Sequence, residues 1–320
     1  MTTILYSHPA AAGHVMPDGH PERVARYDAV MAALSRPEFD QLVRRDAPLA
    51  ADDVLGLCHP PGHIARVAAA VAAAGEGWAG LDADTHVMAG SDIAARRAAG
   101  AAVAAVDGVV SGAARNAFCA LRPPGHHAER ATAMGFCLYG TVAIAARHAL
   151  ERCGLSRVAV VDFDVHHGNG TQDLLWDEPR AAFISTHQMP LYPGSGATDE
   201  RGAHGQITNI PLPPGTDGTT YREVFSARIP ALLRAFRPEL VLVSAGFDAH
   251  RADPLAQMAL ETEDFTWISD QLCGLADEIC GGRLVSVLEG GYDLSALADS
   301  AAAHVRALMA HGSGPEGDAG

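Results

Sequence analysis

The sequence predicts an α/β protein whose parallel sheet is covered by helices on both faces. Three observations lead there: short continuous runs of β-branched and apolar residues, Ala-rich stretches of helical spacing between them, and polar residues or glycine where each run ends. A strand buried on both faces reads as an unbroken apolar run, and parallel neighbours need a crossover long enough to hold a helix.

In chain order, the first strand is TILYS (3–7), followed by helical spacing over 22–34, 63–74 and 91–111. AFCAL (117–121) is the second strand and 140–152 the next helix. RVAVVDFD (157–164) and AAFISTH (181–187) follow as strands. Residues 188–218 contain YPGSG and PLPPGTDG and read as one long loop over an end of the sheet; structureless loops beyond about 12 residues in a compact domain are mostly functional or disordered. A helix over 219–236, the strand ELVLVSAGFD (239–248), a helix over 263–280 and the strand RLVSVLEGG (283–291) complete the pattern. The polar, Gly-rich end HGSGPEGDAG is expected to be disordered, which sets one domain over 1–309 and a tail over 310–320.

With 320 residues and 48% hydrophobic content the chain can bury a large core. It has no run of 18 apolar residues, and MTTILYSHPA lacks a basic stretch followed by an apolar one. Neither a membrane span nor a signal peptide is expected, and a cytoplasmic protein is. The six cysteines form no C-x-x-C pair, which fits reduced core thiols and leaves any metal to His and carboxylate ligands. A net charge of −15, with all 23 basic residues arginine, argues against a nucleic-acid partner. The same charge would draw in a cationic substrate.

Ligands of such sheets bind beyond the carboxyl ends of the strands. Four of the predicted strands run there into RPPGHHA, DVHHGNG, DAHRADP and EGGYD, and so deliver His126, His127, Asp162, Asp164, His166, His167, Asp248 and Tyr292 to one edge. Asp164 and His166 are two apart, so in an extended chain they leave on the same side; Asp248 from another strand end completes a three-ligand set. Three protein ligands with no cysteine leave an open position, as a catalytic zinc requires, although one imidazole with two carboxylates also suits Fe(II).

The tandem His126 and His127 supply the side chain whose free pKa lies nearest working pH. Asp162 is a partner for the far nitrogen of one and Asn169 for the other; a charged partner raises basicity and a neutral one does not, so the two rings would divide their roles. Tyr292 follows Gly290 and Gly291, and its phenol can donate to a developing oxyanion.

LRPPGHHA, GFC, VDFDVHHGNGTQ, SAGFDAHRADPL and LEGGYDL, in this order and spacing and with GHPERV near the start, resemble the histone deacetylase superfamily over about residues 4 to 309. The likeness is to its class II branch and the bacterial deacetylase-like amidohydrolases. It implies a single-domain arginase/deacetylase fold with an eight-stranded parallel sheet. It also implies zinc-dependent removal of acyl groups from amines, acetyl-lysine above all and acetylpolyamines in some members.

Carried over by position, the resemblance assigns the zinc to Asp164, His166 and Asp248. His127 becomes the general base, His126 its electrostatic and proton-donating partner, and Tyr292 the carbonyl-polarising phenol. Phe136 and Tyr192 match the aromatic walls of the acyl-lysine tunnel, Gly135 its glycine lining, and Asp82 or Asp84 in LDADTH the mouth carboxylate that grips substrate backbone. A structural monovalent cation, potassium, is implied near Asp162, Asp164, His166 and Ser185. Asn169 stands where class I enzymes have Asp, and Glu289 precedes GGY where they have Gly; both fit class II. Tyr192 replaces a usual Phe. Leu255, after the DP of ADPLAQ, stands where polyamine-preferring members can carry an acidic gatekeeper, and so points toward acyl-lysine side chains or small acylamides. Three rivals remain at this level: an acetylpolyamine hydrolase, a two-manganese ureohydrolase on the same sheet, and a non-catalytic acyl-lysine reader. The last would be expected to lose Tyr292 or a ligand, and all are present. The sequence sets no oligomeric state, and a homo-oligomer is compatible with it.

Overall fold

The computed structural model describes residues 2–312. Its strands are β1 (Thr3–Ser7), β2 (Val43–Asp46), a short hairpin pair β3 (Ala79–Gly80) and β4 (His86–Val87), then β5 (Asn116–Cys119), β6 (Val158–Asp162), β7 (Ala181–Gln188), β8 (Ile207–Leu212), β9 (Leu240–Ala245) and β10 (Leu284–Leu288). The α-helices are α1 (Val24–Ala33), α2 (Asp52–Leu55), α3 (Pro61–Ala74), α4 (Ser91–Val110), α5 (Thr141–Glu151), α6 (Asn169–Leu175), α7 (Gly218–Phe236), α8 (Thr262–Cys280) and α9 (Leu294–Gly312).

Eight strands form one sheet in the order β2-β1-β5-β10-β9-β6-β7-β8, and every pair in it is parallel. The chain winds outward on both sides first and returns last with β9 and β10, which fill the gap between β5 and β6. That late insertion sets the ends of β5, β10, β9 and β6 side by side.

Alternate strand residues face two cores. Ile4, Ala117, Val160, Leu242 and Val285 pack with α3, α4 and α5, whereas Leu5, Phe118, Val161, Val243 and Leu284 pack with α1, α7, α8 and α9. Each fully buried Leu, Val or Phe contributes roughly 1.5–3 kcal/mol, so this double layer fixes the strand ends that carry the site. All six cysteines are free thiols. Among the described residues no helix is long and apolar enough to cross a membrane.

The expected loop over 188–218 is interrupted: β8 pairs with β7 inside it, from Phe183↔Ile207 to Gln188↔Leu212. β8 is an edge strand and tolerates Pro211 there because no further neighbour needs its missing N–H. The other edge, β2, is the polar VRRD, and α6 and α9 also lie where no helix was expected. Of the tail expected over 310–320, residues 310–312 close α9; the remainder lies outside the described residues.

Candidate active site

The loop after β5 is buckled to the end of β10 by one carboxylate. Glu289 Oε2 accepts from the backbone N–H of Gly125 at 2.7 Å and of His126 at 3.2 Å, and Oε1 accepts from the Ser244 hydroxyl. Burial pushes Glu289 up to about 7. This latch fixes where His126 and His127 leave the chain.

Both rings are buried, with centroids 4.0 Å apart. His126 Nδ1 donates to Asp162 Oδ2 at 3.1 Å, and its Nε2 lies 3.8 Å from Asp164. His127 Nδ1 donates to Asn169 Oδ1 at 2.8 Å, which leaves its Nε2 as the acceptor. Burial alone would lower His126, but Asp164 and Asp162 overrule it and hold it well above the ordinary value. Burial and the neighbouring His126 and His166 push His127 well below its ordinary value. The carboxylates thus favour the imidazolium form of His126, and burial favours the neutral form of His127.

The DVHH segment leaves regular strand at Asp162, so Asp164 and His166 converge through a folded loop rather than through the pleat of an extended chain. Asp162 Oδ1 accepts from the Asp164 N–H, Asp164 Oδ1 from the His166 N–H, and Asp248 Oδ1 from the Val165 N–H. The Gly290 N–H donates to Asp164 Oδ2 at 2.8 Å. The donor atoms of Asp164, His166 and Asp248 lie within 4.8 Å of one another. His166 Nδ1 is 3.1 Å from both carboxylates. Burial would lower this imidazole, yet the two carboxylates push it up to about 10. Two wholly buried carboxylates and an imidazole, with that much negative field between them, make a donor set that fits a divalent cation.

Glycine is required around this set. A Cβ on Gly290 would collide with Asp248 and Asp164, one on Gly246 with Asp164, one on Gly168 with Asp162, and one on Gly170 with the His127–Ala128 backbone.

A cavity of about 210 Å³ opens above it, lined by Asp84, His127, Gly135, Phe136, His166, Leu191, Tyr192, Leu255 and Tyr292. Phe136 sits at φ 68 after Gly135 at φ 55, a conformation that costs a bulky residue on the order of 1–3 kcal/mol. Its N–H donates to Thr85 Oγ1, and His20 packs on its ring edge to face at 4.8 Å. Tyr192, 39% exposed, stands opposite, its ring 5.1 Å from His127. Tyr292 is buried, and its hydroxyl has no hydrogen-bond partner among the described residues. Burial raises its phenol well above the ordinary value.

Of the two acidic candidates at the mouth, Asp84 lines the cavity. Asp82 instead closes a turn, accepting from the Asp84 and Thr85 N–H groups, and is absent from the lining. Ser185 is fully buried and pairs in register with Asp162, and its hydroxyl meets His187 Nδ1 at 2.9 Å.

Sequence reasoning assigned no role to the buried ion network behind Tyr292. Arg26 donates to the Gly291 and Glu289 carbonyls and to Glu22 Oε1, and lies 4.8 Å from the Tyr292 ring centre. Arg122 grips Glu22 with two bonds and the Ala11 and His14 carbonyls with two more. Asp253 was missed too. GHPERV holds Glu22, LRPPGHHA holds Arg122 and SAGFDAHRADPL holds Asp253, but none of these stretches shows that the residue is buried.

Residues 20–308 match the family model for the histone deacetylase domain. The chain is 38% identical over 328 residues to histone deacetylase 14, chloroplastic, of Arabidopsis thaliana, covering 96% of this chain and 76% of that one. It is 41% identical over 288 residues to the histone deacetylase-like amidohydrolase of Pseudomonas aeruginosa, covering 89% and 74%. The crystal structure of the HDA15 HD domain superposes with a TM-score of 0.91 at 31% identity, covering 97% of this chain and 89% of that one.

Proposed function

The chain belongs to the histone deacetylase family, and from that membership we propose a zinc-dependent amidohydrolase that removes acetyl or other acyl groups from lysine side chains. Deacetylase or amidohydrolase chemistry follows from the family itself. Zinc and acyl-lysine are the finer steps, and one observation carries them: a cation-type donor set at the foot of a narrow, largely apolar cavity that His127 and Tyr292 also line.

Asp164, His166 and Asp248 would hold the metal, which supplies Lewis acidity toward an amide carbonyl and a water molecule. His127, kept neutral, accepts the water's proton at Nε2. His126, kept protonated by Asp162 and Asp164, stabilises the negative charge that develops and is the source of a proton for the departing amine. The Tyr292 hydroxyl donates to the amide oxygen as it gains charge. Phe136, Tyr192 and Gly135 sheathe an extended aliphatic stem and exclude water. Asp84 accepts backbone N–H groups of the substrate at the mouth. Acetate and a free amine are the products.

The apolar Leu255 in the cavity wall supports acyl-lysine over acetylpolyamines, because among the described residues Asp84 is the only carboxylate in the lining. Potassium near Asp162, Asp164, His166 and Ser185, partly through backbone carbonyls, and one catalytic domain over 1–309, belong to the same reading. One purified preparation assayed on acetyl-lysine peptides, longer acyl-lysines and acetylpolyamines tests it. Preferential hydrolysis of the peptides is expected, and turnover confined to acetylpolyamines would overturn the substrate assignment.

A further inference from the structure

We propose that Asp107, His148 and Cys153 form a second metal site, remote from the catalytic cluster, that takes a borderline-soft divalent cation such as Zn²⁺. Asp107 lies in the last turn of α4, His148 in the last turn of α5, and Cys153 just beyond α5. The three donor atoms lie within 4.8 Å of one another, and among the described residues this is the one such group besides Asp164, His166 and Asp248.

The local fold brings the thiol back to the helix end. Both the Arg152 and the Cys153 N–H donate to the His148 carbonyl, and Gly154 at φ 73 lets the chain reverse so that the Leu155 N–H reaches Ala149. The ring of His148 is buried, 8% exposed, and among the described residues its single hydrogen bond is inside the cluster: Nε2 to Asp107 Oδ1 at 2.6 Å. Its Nδ1 is buried with no partner among the described residues, so Nε2 is the atom the fold presents. The Cys153 thiol donates to the same Asp107 oxygen at 3.5 Å.

One of those distances already suits a cation. Zinc bonds of about 2.0 Å to N and O and 2.3 Å to S place tetrahedral donors about 3.3–3.6 Å apart. The sulfur–oxygen edge is already there, and the imidazole–carboxylate edge opens by a shift of Asp107, whose side chain is 57% exposed and free to move. That exposure gives the ion an entry path and leaves a fourth position for water. On binding, the Cys153 S–H bond breaks, its proton leaves to solvent and a sulfur–metal bond forms. The thiol binds only as thiolate, so affinity rises with pH. The bound ion would clamp the ends of α4 and α5.

The catalytic donor set has no sulfur, which separates the two sites spectroscopically. Metal-stripped full-length protein titrated with Co²⁺ is expected to bind two equivalents and develop a thiolate-to-cobalt charge-transfer band in the near ultraviolet. Cys153→Ser should abolish the band and one equivalent, and Asp107→Asn, at an exposed position, should weaken that equivalent at least tenfold. Asp248→Ala should keep the band and lose the other equivalent, so loss of the catalytic ion alone leaves this proposal standing. Absence of the band in the parent protein, or its persistence in folded Cys153→Ser, would overturn it.

Discussion

The backbone N–H of Tyr292 donates to the buried carboxylate of Asp253 at 2.7 Å. The other oxygen of the same carboxylate accepts from the Leu255 N–H at 3.0 Å, so one side chain sets both the phenol and a wall of the cavity. Asp253→Ala would leave the buried Tyr292 N–H and the half-buried Leu255 N–H without this acceptor, at about 1–3 kcal/mol for the buried one. A lowered thermal midpoint together with at least tenfold lower turnover is expected. Asp253→Asn, which keeps one acceptor oxygen, should lie between the two. Thermal melts and turnover on the same preparations check this, and parent-like turnover in Asp253→Ala would refute the link.

Removal of the catalytic metal should abolish hydrolysis, and added zinc should restore it, because the proposed ligands bind only when deprotonated. Asp248→Ala should lose that ion. Retention of the full metal content by the variant, measured by elemental analysis, would sink the ligand assignment.

Tyr292→Phe removes a donor that has no protein acceptor among the described residues. Turnover should fall on the order of 100-fold, as for loss of an oxyanion donor, while the thermal midpoint and metal content stay native. Near-normal turnover with a reduced midpoint would instead assign the hydroxyl a packing role.

Asn169→Asp should shift the pH profile. His127 is held well below its ordinary value by burial and by His126 and His166, and it must be deprotonated to accept a proton. Its neutral form is therefore present above that low pKa and lost as pH falls through it. A carboxylate in place of the amide favours the imidazolium and raises the pKa. The acid limb of kcat/KM should move to higher pH, with the limb unmoved if His127 is not the base.

The hydrophobic pattern made the sheet's interior legible and its margins illegible. Six strands read as apolar runs because both of their faces are buried. The margins did not: β2 carries charge and β8 carries Pro211, features that protect an edge from pairing and erase the strand signal. The site was legible where its residues cluster at strand ends. It was not where function depends on burial: Arg26 meets carbonyls 263 and 265 positions away, and no local pattern encodes that. Asp82 and Asp84 could not be told apart by composition, because what separates them is a turn hydrogen bond.

The glycines pressed against Asp162, Asp164, Asp248 and His127 have an evolutionary consequence. Any side chain there displaces a residue assigned to the chemistry, so the catalytic floor offers almost no viable single-step neighbours in sequence space. Tyr192 is partly exposed and Leu255 half-buried, and neither is gripped through its side chain by a hydrogen bond. Divergence toward new substrates would therefore accumulate at the rim, and a lineage could exchange what it recognises many times over while inheriting one unaltered reaction.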